Sequence, residues 1–252
     1  MTEGAAFKDH FSSKAADYAA FRPTYPRALV DFLAERAPAR NLALDCGCGN
    51  GQFSVLLAER FARVVATDAS AKQIAHAISH TSVEYRTAPA ERTGLPDGCA
   101  ALITVAQAVH WFDLDAFYRE ARRVARPDAI VALFAYDLMT IDRNDCTRTV
   151  HRFQNEDVGR YWPPERKLVS NKYRDLRFPF EEIPSPQFTM DVDWSLDALI
   201  GYIDTWSSVR NATKALGHDP VPGLRAELAQ IWGAPDLKRR VTWPIILKVG
   251  RV

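Results

Sequence analysis

The stretch Leu44-Asp-Cys-Gly-Cys-Gly-Asn-Gly-Gln52 holds two of the chain's four cysteines and three of its twelve glycines. Two chemistries compete there. Cys46 and Cys48 could serve a metal or a redox couple. Glycines at 47, 49 and 51, directly after an apolar run, instead suit a turn that lets a ligand approach the backbone. No second Cys/His pair at zinc spacing accompanies Cys46 and Cys48. His76 and His80 stand four apart and could share a helix face, yet they lack a third ligand or an acidic partner in a motif. No metal is expected, and the thiols read as packing residues.

The glycine turn narrows the ligand further. The Lys-Ser/Thr that ends a phosphate-binding P-loop is missing, and Gln52 or Phe53 stands where a dinucleotide fingerprint has its third glycine. Twenty-three residues beyond Asp45, a second apolar run ends in Asp68, and an acid there suits the hydroxyls of an adenosine ribose. Asp68 could also cap the helix beginning near Ala71. His110 follows another apolar run and precedes Trp111. It is a candidate for a substrate site, or a histidine satisfied within its own loop.

These residues need a scaffold that brings run ends together. From about Arg40 to Tyr136, the runs NLALDC, RVVATD, VEYRTA, AALITVAQAV and AIVALFAY alternate with helical patterns such as Phe53, Leu56, Leu57 and Phe61. Near-continuous apolar strands alternating with helices predict a doubly wound α/β domain. Its sheet is mostly parallel, has helices on both faces, and binds ligands at the strands' carboxyl ends. A helix is expected from near Pro26 to before Pro38. Residues from Leu138 to Arg177 are polar and aromatic-rich, with RYWPPERK read as a loop. Helical patterns follow at Leu196, Leu199, Ile200, Ile203 and Trp206, then at Leu224, Leu228, Ile231 and Trp232. The segment VTWPIILKVGRV reads as a last strand, whose regular part should begin after Pro244 or bulge there. Residues 1–252 are therefore expected to form one domain. It comprises an N-terminal flap and helix (1–38), a cofactor-binding core (40–137), a helical insertion covering the substrate (138–180), and C-terminal helices with the final strands (181–252).

Composition sets outer bounds. Lys and Arg total 32 against 31 Asp and Glu, so no net field recruits nucleic acid or an anionic membrane. The basic run REARRVAR, with apolar residues opposite, reads as a solvated helix face. The N-terminus lacks a signal peptide's apolar core and no run approaches membrane-span length, so a cytoplasmic protein is expected. Oligomeric state is not legible.

With the acid-glycine motif and Asp68 joined, the chain resembles the class I S-adenosylmethionine-dependent methyltransferases, from roughly Phe11 to Tyr136 and again at the last strand. FSSKAADYAAFRPTYP, QAVHWFD and YIDTWSS resemble the small-molecule, type 11-like branch that contains trans-aconitate methyltransferases. The resemblance implies a Rossmann-like fold and S-adenosyl-L-methionine as cofactor. By it, Asp45, Gly47, Gly49 and Gly51 hold the methionine end, and Asp68 with Ala69 takes the ribose. Ala90 and Glu91 flank the adenine, although Glu91 could equally be a surface carboxylate. Gln107 closes strand four at the cofactor. Tyr18 and Arg22 cover the cofactor and pair with its carboxylate. His110 is the catalytic candidate, as base or positioning residue, and Trp111 and Trp206 line the substrate, with core packing the default for Trp206. The implied activity is methylation of a small molecule, with ester formation on a carboxylate as the sharper form. The alternatives are a non-catalytic adenosyl-cofactor binder and a nicotinamide-dependent oxidoreductase. A nucleic-acid methyltransferase is disfavoured because QAVHW stands where an Asn/Asp-Pro-Pro-Tyr/Phe tetrad would be.

Overall fold

The computed structural model describes residues 22–234 and 236–252. Five parallel strands form its centre: β1 (Leu42–Cys46), β2 (Arg63–Asp68), β3 (Val83–Thr87), β4 (Ala100–Ala106) and β5 (Ala125–Tyr136). They lie in the order β3-β2-β1-β4-β5, so the chain reverses direction across the sheet between β1 and β4. A crevice opens at such a reversal, outside the carboxyl ends of the strands. The expected doubly wound α/β architecture is present.

Alternating side chains build the two faces. Ala43, Val64, Leu102, Ile130, Ala132 and Phe134 join one core, with Leu29, Val30 and Leu33 of helix α1 (Arg27–Arg36) and Phe53 and Leu57 of α2 (Gln52–Leu57). Leu44, Cys46, Val65, Ile103, Val105, Val131 and Leu133 join the other. The short α3 (Ala71–Ala75) follows β2, and α4 (Leu114–Val124) follows β4, burying Phe117, Tyr118, Ala121 and Val124. Because α3 ends at Ala75, His76 and His80 do not share a helix face. His76 Nδ1 instead meets the Lys72 carbonyl at 2.8 Å.

Beyond β5 come β6 (Thr140–Ile141) and α5 (Asn144–Arg152), which runs into a wide helical turn at Phe153–Asp157. The RYWPPERK segment is more ordered than a loop. It forms two 3₁₀ turns, Gly159–Tyr161 and Pro164–Arg166, leading into α6 (Lys167–Ser170). Then follow β7 (Glu181–Glu182), β8 (Thr189–Trp194), α7 (Leu196–Asp204), α8 (Ser207–Leu216), α9 (Val221–Trp232) and β9 (Arg239–Arg251).

Two expectations change here. The periodic pattern through Trp206 is not one helix, because α7 ends as the Thr205 hydroxyl and the Trp206 backbone N–H bond back to Tyr202 and Ile203 carbonyls. Trp206 is the extended residue that starts α8. The last strand also runs straight through Pro244. Its residues 245–251 pair with β5, while 239–244 pair with β8. Pro244 stands exposed where the strand exchanges neighbours, so its missing N–H falls at a junction between ladders.

Among the described residues, no helix is long and apolar enough to cross a membrane.

Candidate active site

The turn after β1 places Gly47, Gly49 and Gly51 at φ of +64°, +56° and +84°, a region L side chains enter at a cost. Their surroundings differ. A Cβ on Gly47 would lie 2.5 Å from Ala108 Cβ, and one on Gly51 would lie 2.1 Å from Tyr85 Oη. A Cβ on Gly49 would meet nothing within 4 Å among the described residues. The outer glycines therefore let the loop pack on β3 and the β4 turn, while no described residue crowds the backbone at Gly49.

Three bonds suspend this loop. The Cys48 N–H donates to the Thr67 carbonyl at 3.0 Å, and the Gly51 N–H closes a turn on the Cys48 carbonyl at 2.9 Å. The Gly49 N–H donates to Asp68 Oδ2 at 2.9 Å, while Asp68 Oδ1 accepts the Ser70 N–H at 2.8 Å. Ser70, not Asp68, caps α3, through a 3.4 Å contact with the Gln73 N–H. The Asp68 carboxylate is half-buried.

Asp45 lies beneath the turn with 0% exposure. It accepts the Ser54 hydroxyl at 2.6 Å and the Thr104 hydroxyl at 2.8 Å, tying β1 to α2 and β4. Burial pushes its pKa up to about 6 against those two bonds. The cysteine thiols are likewise raised by burial, which favours neutral S–H over the thiolate that metals and disulfide exchange require.

Across the crevice, β4 is followed by Gln107, a non-glycine residue at φ +57°. Its backbone N–H reaches the Phe134 carbonyl at 2.9 Å and its amide the Tyr136 carbonyl at 2.8 Å, which hold the strained residue in place. The 3₁₀ turn Val109–Trp111 follows and stacks His110 near Trp111, ring centroids 5.0 Å apart. Burial, then the charge of Arg166, depress the His110 pKa to about 3. The imidazole is neutral at physiological pH. Arg166 pairs with Asp137 and lies 4.0 Å over the Trp162 ring. Arg22 Nη1 donates to the Tyr136 hydroxyl at 2.9 Å, with its guanidinium 5.2 Å from the Tyr202 ring. Trp206 is buried between Trp162 and Tyr202, at centroid distances of 5.6 and 5.9 Å.

The glycine turn is bound to an acid on the next strand, across the sheet's crevice from a cluster of aromatic side chains. Residues 44–133 match a family model described as a methyltransferase domain. A Dictyostelium discoideum protein named as a methyltransferase is 36% identical over 233 residues, covering 91% of this chain and 89% of its own. The chain belongs to the methyltransferase family. A solved structure from Anaeromyxobacter dehalogenans, described as a type II methyltransferase, superposes with a TM-score of 0.87 at 47% identity. That match covers 92% of this chain and 98% of that one. The ubiquinone biosynthesis O-methyltransferase of Rhizobium johnstonii is 27% identical over 217 residues, covering 74% of this chain and 84% of that protein.

Within this methyltransferase, the residues singled out by sequence form two groups around the crevice. Gly47, Gly49, Gly51, Asp68 and Ala69 line its β1–β2 side, with Ala69 exposed and Asp45 underneath. Ala90 is buried, and Glu91 accepts the Asp113 N–H at 2.9 Å, fixing the start of α4. Gln107, His110, Trp111, Arg22 and Trp206 belong to the β4–β5 side. Tyr18 lies outside the described residues. Sequence reasoning drew Trp162 and Tyr202 from the aromatic-rich stretch that follows Leu138, but missed Tyr136 and Asp137, the partners of Arg22 and Arg166. It also could not separate Arg166 from the neighbouring arginines.

Proposed function

We propose that this methyltransferase uses S-adenosyl-L-methionine and methylates an oxygen of a small acceptor, with a carboxylate as the receiving group. The observation that carries the cofactor reading is the Gly49–Asp68 bond at 2.9 Å, made where a Cβ would meet nothing among the described residues. It sets an uncrowded glycine backbone and a carboxylate side by side, which suits a nucleoside ligand. Bound there, S-adenosyl-L-methionine supplies an electrophilic methyl group on a sulfonium. The chain's part is to align the acceptor and exclude water, which the buried aromatic wall of Trp162, Tyr202 and Trp206 supports.

The acceptor reading follows from His110. Amines and phenols need a base, and an imidazole held at about 3 is a weak one. A carboxylate, with a reference pKa near ~4, is already ionised and needs none. His110 then positions the acceptor rather than taking a proton from it.

Calorimetry with S-adenosylmethionine, S-adenosylhomocysteine and NADH tests the cofactor reading. The two adenosyl compounds are expected to bind and NADH is not, and the reverse result would favour an oxidoreductase. Binding without turnover across small acids, phenols and amines with labelled cofactor would favour a non-catalytic binder.

A further inference from the structure

Two buried polar atoms in the acceptor pocket have no hydrogen-bond partner among the described residues: Nε of Arg166 and Nδ1 of His110. They belong to the turns Pro164–Arg166 and Val109–Trp111, which pack against each other. An unpaired buried donor is costly, and folded proteins rarely carry such groups without a reason.

Part of the Arg166 guanidinium is committed. Nη2 pairs with Asp137, and the planar face lies on Trp162. Asp137 is itself held by the Gln154 amide at 3.3 Å. The side chain of Arg166 is only 18% exposed. Other arginines of the insertion are placed differently. Arg152 pairs with Asp157 and Glu227 at the surface, Arg177 pairs with exposed Asp115, and Arg148, Arg160 and Arg174 are exposed. Arg166 is thus sheltered and oriented, with one donor edge unspent, beside a neutral imidazole that in its Nδ1–H tautomer is also a donor. Two donors in contacting turns suit the two oxygens of one carboxylate.

We infer that Arg166 is the specificity-determining residue for the acceptor: its Nε–H, together with His110 Nδ1, receives a carboxylate, and Asp137 is the positioning residue that aims the guanidinium. This rests on the acceptor reading above and deepens it by naming the residues that select the acid. It also explains why an ion pair is buried here, where its desolvation is costly. Asp137, held on Nη2, fixes the direction in which Nε–H points.

The test uses the full chain saturated with S-adenosylhomocysteine. Small mono-, di- and tricarboxylates and their amide counterparts are titrated while tryptophan fluorescence is followed, since Trp162 lies against Arg166. Wild type is expected to bind at least one acid and to prefer it to its amide. Arg166→Lys retains charge but loses Nε–H and the planar fork. With Arg166→Gln, it should weaken that acid by ~10- to 100-fold, the range for hydrogen bonds to charged groups. S-adenosylhomocysteine affinity should stay within about twofold, showing that both variants are folded. Asp137→Asn should raise KM for the acid and leave KM for S-adenosylmethionine unchanged, a split that a merely structural role would not produce.

Wild-type acid affinity in Arg166→Lys, equal binding of acid and amide, or no acid bound at all would each overturn the inference. Acid turnover that is indifferent to Arg166→Lys removes this assignment alone. Turnover of amines or phenols with no acid accepted removes the acceptor reading beneath it.

Discussion

The Gly49 backbone N–H and the Asp68 carboxylate meet at 2.9 Å, so the two cofactor signals in the sequence are one physical unit. Asp68 shapes the loop, and in the proposed function it also receives the cofactor's ribose. Substitution should therefore cost binding more than folding. Asp68→Ala is expected to lose about 1.5–3 kcal/mol of S-adenosylhomocysteine affinity, the range for hydrogen bonds to a charged group. Calorimetry beside a thermal melt checks this, and unchanged affinity in a folded variant would remove Asp68 from the site.

Gly49 and Gly51 separate conformation from space. Both have positive φ, so alanine costs roughly 1–2 kcal/mol at either position. Only at Gly51 does the added Cβ run into Tyr85, whose hydroxyl donates to the Ile78 carbonyl at 2.7 Å. Gly51→Ala should lower the melting temperature clearly more than Gly49→Ala. Gly49→Ala should stay folded and lose cofactor affinity, because its methyl projects into the ligand's space. Equal melting temperatures would contradict the steric part, and undiminished affinity in Gly49→Ala would contradict the other.

Legibility followed burial. Strand β4, Ala100–Ala106, is buried along nearly its whole length, so it reads as an apolar run. Strand β8, Thr189–Trp194, buries Met190 but exposes Asp191 and Asp193, and its six residues pair only with β9. Its alternation is too short and too polar to stand out. The cofactor loop was legible because positive φ at three alternate positions demands glycine. The arrangement around Arg166 was not, because its members earn their places through long-range partners. Arg166 differs from Arg160 in meeting Asp137, twenty-nine positions away, and nothing local records that. Trp206 read as a helix-stripe residue because a helix break costs no change in apolar spacing.

Two buried titratable groups should leave opposite marks on stability. His110 falls from its ordinary 6.5 to about 3, and Asp45 rises from 3.8 to about 6. Between 3.8 and about 6, the unfolded chain protonates His110 while the folded chain does not, which makes stability rise with pH. Over the same interval the folded chain keeps the Asp45 proton that the unfolded chain has lost, which makes stability fall with pH. The two contributions oppose each other. Urea midpoints measured across this window should show His110→Gln tilted towards falling stability with rising pH, relative to wild type, and Asp45→Asn tilted the other way. Identical slopes in all three proteins would mean that neither group is held as the structure indicates.

The pH dependence of turnover distinguishes the acceptor classes. Burial and the nearby Arg166 charge keep His110 neutral far below its ordinary range, so it has no titration left to contribute near neutrality. Acid acceptors are ionised throughout the same interval. The chemical step on a small carboxylate should therefore be flat from about pH 6 to 9, without an inflection near ~6.5. Single-turnover rates with labelled S-adenosylmethionine isolate this step from product release. His110→Gln should leave the flat profile in place and lower the rate through lost positioning. A rate that climbs through a basic pKa, on amines or phenols alone, would sink the carboxylate reading. If that climb vanished in His110→Gln, the imidazole would be the general base, with its pKa raised by the bound acceptor.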